Sequence, residues 1–160
     1  MTSDANDTPQ LITSMVSDHQ RFAESLDRLH DMVSSAADPE RTQAVVEEFE
    51  LTLSRHIYAE NEVLVPELEI MSGSMEVHAV GAMLQDHDRI RSLSLGLLHM
   101  VKRGAEAPEI LSTIEQLRDT LATHTRWEEE QVYPLLAGLG EYGHALAIMQ
   151  GEEDEEIFGD

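Results

Sequence analysis

Six residues of this chain pair off at one spacing. His19 stands 37 residues before His56, and His56 opens a His-x-x-x-Glu motif that Glu60 closes. The same set recurs as His87, His124 and Glu128, each 68 residues further on. Their neighbours recur too, with Met15, Asp18, Arg21 and Pro66 answered by Met83, Asp86, Arg89 and Pro134. Imidazole nitrogens and carboxylate oxygens are the strong metal donors left to a chain without Cys. Four His and two Glu in two registered triads predict a dinuclear metal site, with the His as terminal ligands and Glu60 and Glu128 bridging. Such a donor set suits iron or manganese, and zinc could take it as well, because raw affinity does not select against it. It leaves coordination positions for a bridging oxygen and for an exogenous ligand.

Helices must position these residues. Apolar residues recur in heptad-like stripes that define four segments. The first opens at Thr8-Pro9 and carries Ile12, Met15, His19, Phe22, Leu26 and Leu29. The second opens at Asp38-Pro39 and carries Val46, Phe49, Leu53, His56 and Glu60, with Pro66 near its end. The third starts near Ser74 with Val80, Met83, His87, Ile90 and Leu97 on its stripe, and the fourth starts near Pro108 with Ile114, Leu117, Leu121, His124 and Glu128. Strand patterning is nearly absent, and aromatics are only 4%. Short connections at 34–38 and 103–107 turn the segments into antiparallel pairs, and Glu67 to Gly73 links the pairs. The prediction is an all-α fold: an up-down-up-down antiparallel four-helix bundle with a pseudo-twofold internal repeat and a short C-terminal helix around residues 141–150. Residues 1–150 form one domain, and the acidic run within 151–160 is a disordered tail.

Height and face agree with the metal reading. At about 1.5 Å of rise per residue, His19 lies roughly 25 Å before the first turn and His56 about as far after it, so a hairpin brings them to one level. The i to i+4 spacing stacks His56 on Glu60 and His124 on Glu128. All six fall on interior stripes, where an isolated ionised Glu costs several kcal/mol. A cation at that level neutralises them.

A net charge of -22, from 32 acidic against ten basic residues, repels a phosphate backbone and excludes nucleic acid as a partner. No uncharged run approaches the roughly 18 apolar residues of a membrane helix, and no signal peptide is read, so the expected location is cytoplasmic. No Gly-rich phosphate loop or Ser-His-Asp arrangement points to a nucleotide enzyme or a hydrolase.

With these residues in order, the chain resembles the hemerythrin-like, or HHE cation-binding, domain family. The family pattern of a first His, then His-x-x-x-Glu, then the same again falls on His19, His56, Glu60, His87, His124 and Glu128. The resemblance implies two non-haem iron ions with an oxo or hydroxo bridge, and a small ligand such as oxygen or nitric oxide, in a role of oxygen binding, sensing or storage. The alternative it implies is a di-iron enzyme or repair protein that turns over nitric oxide or peroxide, or donates iron for iron-sulfur cluster repair. Oxygen-carrying members have two His one turn apart on the third helix, whereas here Arg91 follows His87 by one turn. Members with an N-terminal Cys segment also differ from this Cys-free chain.

The remaining His belong to no repeat. His78 is a fifth ligand only if the third helix starts late, and a regular helix turns it to the opposite side. His30 reads as a core or boundary residue, and His99 and His144 as structural or solvent-facing. Asp18 and Asp86 either accept a hydrogen bond from a ligand His or are helix-surface charges. Met15, Met83, Phe22, Ile90, Leu53 and Leu121 flank the metal level as core residues able to wall a dry pocket.

Overall fold

The structure, a computed structural model, describes residues 4–71 and 74–136. Every element among the described residues is helical: α1 (Asp4–Ser34), α2 (Pro39–Ala59), a π-helical turn (Glu60–Leu64), α3 (Val65–Met71), α4 (Ser74–Lys102), α5 (Ala107–Trp127), a second π-helical turn (Glu128–Val132) and α6 (Tyr133–Leu136). The helix starts at Pro39, Ser74 and Ala107 agree with the sequence reading. Helix α1 begins earlier than the expected Thr8-Pro9, at Asp4. The link expected over Glu67 to Gly73 is itself largely helical, because α3 runs from Val65 to Met71 and continues directly from the π turn, with Pro66 as its second residue. The expected 141–150 helix and the acidic tail lie outside the described residues, as does His144.

Turn chemistry explains where the long helices stop and restart. Asp38 and Glu106 leave the helical region just before α2 and α5, with backbone ψ of 125° and 145°, and a Pro sits in each first turn. Neither carboxylate caps through its side chain. At the C-terminus of α1, Ala37 N–H bonds Met32 O and Ala36 N–H bonds Val33 O, the two bonds of a Schellman closure. The end of α4 repeats it, with Ala105 to Met100 and Gly104 to Val101. The residue at the left-handed position is Gly104, at φ 69°, in the second half. In the first half it is Ala36, at φ 54°, which carries a steric penalty that Gly escapes.

Each long helix packs against two others, α1 on α2 and α5, and α4 on α2 and α5. Two apolar clusters fill the interior. The larger contains Phe22, Leu29, Phe49, Leu53, Ile90 and Leu121, with Phe22 and Phe49 edge to face at 6.0 Å. The smaller contains Met15, Leu64, Val65, Met83, Val132 and Tyr133. Along each of the four chain paths the predicted metal ligands stand between a member of one cluster and a member of the other. His19 lies between Met15 and Phe22, and His87 between Met83 and Ile90; His56 and Glu60 lie between Leu53 and Leu64, and His124 and Glu128 between Leu121 and Val132. The site is therefore sealed from both directions along the helices.

Candidate metal centre

All six predicted residues meet at this level, and all six are buried, Glu60 and Glu128 to 0% exposure. Their donor atoms fall into two groups, each within 4.8 Å: His19, His56, Glu60 and Glu128, and Glu60, His87, His124 and Glu128. Both Glu belong to both groups. Glu60 places Oε1 2.7 Å from His56 Nε2 and Oε2 2.8 Å from His87 Nε2. Glu128 Oε1 lies 3.2 Å from His19 Nε2 and 3.1 Å from His124 Nε2, with Oε2 3.9 Å from His87 Nε2. The rings pair within halves, His19 with His56 at 5.1 Å and His87 with His124 at 4.9 Å.

The short contacts are not aligned hydrogen bonds. His56 Nε2, His87 Nε2, Glu60 Oε2 and both Glu128 oxygens have no hydrogen-bond partner, although nitrogen and oxygen approach to 2.7 and 2.8 Å. Nitrogen and oxygen atoms that crowd together without pairing keep their lone pairs available to a third group. Buried polar atoms otherwise find partners, so a cluster of orphans marks a place for an ion. The donor set fits a metal pair.

The outer ring nitrogens fix which atom faces inward. Asp18 Oδ2 is 3.0 Å from His56 Nδ1, and Asp86 Oδ2 is 3.0 Å from His124 Nδ1. Asn61 Oδ1 lies 2.6 Å from His87 Nδ1. A carboxylate or amide oxygen only accepts, so each Nδ1 carries the hydrogen and each Nε2 lone pair is left for the site. Asp18 and Asp86 thus hold ligand-side imidazoles, the first of the two roles the sequence allowed them. The fourth ring is held differently: His19 Nδ1 is 3.9 Å from Glu129 Oε1, too far for a hydrogen bond.

Three residues at this level escape sequence reasoning: Asn61, Glu129 and Tyr133. Asn61 and Glu129 are repeat equivalents, each directly following a site Glu, and this was the available signal. Tyr133 has no polar equivalent, since the corresponding residue of the first half is Val65. Its phenol donates to Glu60 Oε1 at 3.2 Å and lies 3.1 Å from His19 Nε2, with the two rings stacked at 5.7 Å. The π turn puts it there. On a regular helix, residue 133 would stand roughly 140° around the axis from Glu128. The inserted residue of a π turn gives back about one step, leaving it roughly 40° away. Tyr133 N–H accordingly bonds Glu128 O, and Val65 N–H bonds Glu60 O, both five residues back.

Without a metal, protons answer the buried carboxylates. Burial disfavours a charged His56, yet the adjacent Glu60 carboxylate, the Asp18 hydrogen bond and the Glu128 charge raise its pKa to about 10. His87, likewise opposed by burial, is raised to about 9 by Glu128 and Glu60. His124 moves up for the same reasons. Burial pushes Glu128 upward, but His124, His19 and His87 outweigh it and hold the carboxyl well below its ordinary value. Burial and the two Glu charges keep the Tyr133 phenol well above its own.

On the side away from Tyr133 lies a small cavity. Phe22, Leu53, Ile57, Ile90 and Leu121 wall it together with the four imidazoles, Thr125 and Glu128, and its volume is only about 10 Å³. Of the flanking residues expected from sequence, Phe22, Leu53, Ile90 and Leu121 line this space, whereas Met15 and Met83 pack in the other cluster. His30 is half-buried at the bundle edge, 3.8 Å from Glu115, and His99 is exposed. Arg91 is exposed and brings no donor to the site. The His78 side chain lies outside the described residues.

A family model described as the Hemerythrin HHE cation binding domain matches residues 10–136 and, again, residues 78–158. The overlap is what halves with one spacing allow. No curated protein and no solved structure is matched by the chain.

Proposed function

The chain belongs to the hemerythrin HHE cation-binding domain family, and on that premise we propose that it is a non-haem di-iron protein that binds oxygen or a related small ligand. The observation that carries this reading is the convergence of unpartnered Nε2 and carboxylate lone pairs, in two groups that share both Glu. In it, His19 and His56 hold one metal, His87 and His124 hold the other, and Glu60 and Glu128 serve both. The finer architecture goes with it: one domain over residues 1–150, with the four long helices running up-down-up-down antiparallel. No described helix is long and apolar enough to cross a membrane, and the reading places the protein in the cytoplasm.

Iron held here would supply a reversible change of oxidation state and an exchangeable coordination position. The chain's own residues do the rest. Asp18, Asp86 and Asn61 keep three imidazoles in the tautomer that turns Nε2 inward. Two buried carboxylates offset the cationic charge. Phe22, Leu53, Ile57, Ile90 and Leu121 give the cavity a largely apolar wall, and its size is about that of one water molecule. That size favours a small ligand over a larger substrate.

Anaerobic loading with ferrous iron, followed by absorption spectra with oxygen, nitric oxide, azide and peroxide, tests the proposal. The expected result is a spectral change that reverses when the ligand is removed, with the ligand recovered unchanged. Catalytic consumption of nitric oxide or peroxide would replace the binding role with the enzyme role. Indifference to all four would make the metal structural.

A further inference from the structure

The two halves supply the same four donors to each metal group, but one residue breaks the symmetry. Tyr133 stands where the repeat has Val65, and its phenol oxygen reaches His19, which belongs to the first group alone, and the Glu60 oxygen that faces His56. It is 3.1 Å from His19 Nε2 and 3.2 Å from Glu60 Oε1, within the same range as the separations of 2.7 to 3.2 Å among the donors themselves. Donor atoms at neighbouring corners of one coordination shell stand about this far apart, since metal–ligand bonds of about 2.0–2.2 Å set the edge. The hydroxyl is buried, and the chain has arranged a π turn at Glu128 that brings it to this face.

Resting on the di-iron reading, we propose that Tyr133 is a seventh protein ligand, bound through its phenolic oxygen to the metal of the His19–His56 half. On metal entry the phenol O–H bond breaks and its proton leaves to solvent, as ligand protons do when a metal binds, and the oxygen lone pair forms the new bond. The same arrangement accounts for His19. It is the one imidazole of the four whose outer nitrogen has no hydrogen-bonding oxygen, and Tyr133 stacks on its ring instead. The two metal positions are then unlike, with five protein donors in the first group and four in the second. The cavity walled by Phe22, Leu53, Ile90 and Leu121 lies on the other side of the imidazoles, so Tyr133 does not close it.

Ferric iron is the probe, because a phenolate bound to it gives a visible charge-transfer band and enhances phenolate ring vibrations in resonance Raman spectra. Wild-type protein loaded with iron is expected to show both, with ring modes that shift when the tyrosines are ring-deuterated. Tyr133→Phe should abolish the band while retaining two irons per chain. Tyr58→Phe and Tyr142→Phe should leave it unchanged, which assigns the band by elimination even where Tyr133→Phe fails to fold. Two irons per chain with no phenolate band, or a band that survives Tyr133→Phe, overturns the ligand assignment and leaves the di-iron reading standing. A wild-type protein that retains no iron overturns both.

Discussion

Glu60 and His87 come from different halves of the chain, yet Glu60 Oε2 lies 2.8 Å from His87 Nε2 without an aligned hydrogen bond between them. The other oxygen of the same carboxylate faces His56 of its own half. One carboxylate thus serves both triads, which is the geometry a bridging role needs. A merely hydrogen-bonded Glu–His pair would instead point donor at acceptor.

Imidazole orientation is the first expected sensitivity. Asp18→Ala and Asp86→Ala each remove the acceptor that holds a ligand His in the required tautomer, and each should weaken metal binding by about 10–100-fold. Asp18 should matter more, because its side chain is 10% exposed against 45% for Asp86, and water can replace the exposed partner. Metal titration against a competing chelator reads the difference. Equal affinity in both variants and wild type would show that the rings are held by packing alone.

The helix closures give a prediction independent of metal. Ala36→Gly should stabilise the fold by about 0.5–1 kcal/mol, relief of the left-handed strain exceeding the entropy that Gly adds to the unfolded chain. Gly104→Ala should destabilise by a similar amount, although a Cβ there would meet no neighbouring atom within 4 Å, because the cost lies in φ and not in space. Chemical denaturation midpoints of the metal-free proteins measure both.

The pH dependence of the metal-free bundle is set by the shifted groups. His56 and His87 have folded pKa values of about 10 and 9, above the ordinary 6.5. Their contribution to stability is complete below 6.5 and is lost as pH rises through 9 to 10. Glu128 is depressed, so its contribution is present above about 4.5 and is lost as pH falls towards its lower folded value. Metal-free protein should melt highest between about 4.5 and 6.5 and progressively lower up to pH 10. Metal binding needs the unprotonated imidazoles, so the gain in melting temperature on loading should widen over the same rise in pH. A gain that shrinks from pH 6.5 to 9 contradicts this sign.

Much of the bundle and its centre was legible in the chain because two independent periods coincide. The 3.6-residue stripes put His19, His56, Glu60, His87, His124 and Glu128 inside, and the 68-residue repeat put them at one level. Asp38-Pro39 and Pro108 marked helix starts through chemistry that acts within a few residues. The π turns left no such mark. Glu60–Leu64 and Glu128–Val132 read as ordinary helix, and the extra residue is tolerated because the turn aims the site Glu and re-aims the residues after it. Tyr133 was hidden for that reason, since the regular period turns it away from the site. Asn61 was hidden because its partner, His87, is 26 residues distant and on another helix.

How many metals the six residues hold decides between a shared-carboxylate centre and a single-ion site. Iron-loaded protein, freed of loosely bound metal and assayed against protein concentration, should contain two irons per chain. Glu60→Ala and Glu128→Ala should each lower that content to a similar degree, and His30→Ala and His99→Ala should leave it at two. A single tightly held iron in the wild type, with either Glu dispensable, would contradict the shared-carboxylate centre.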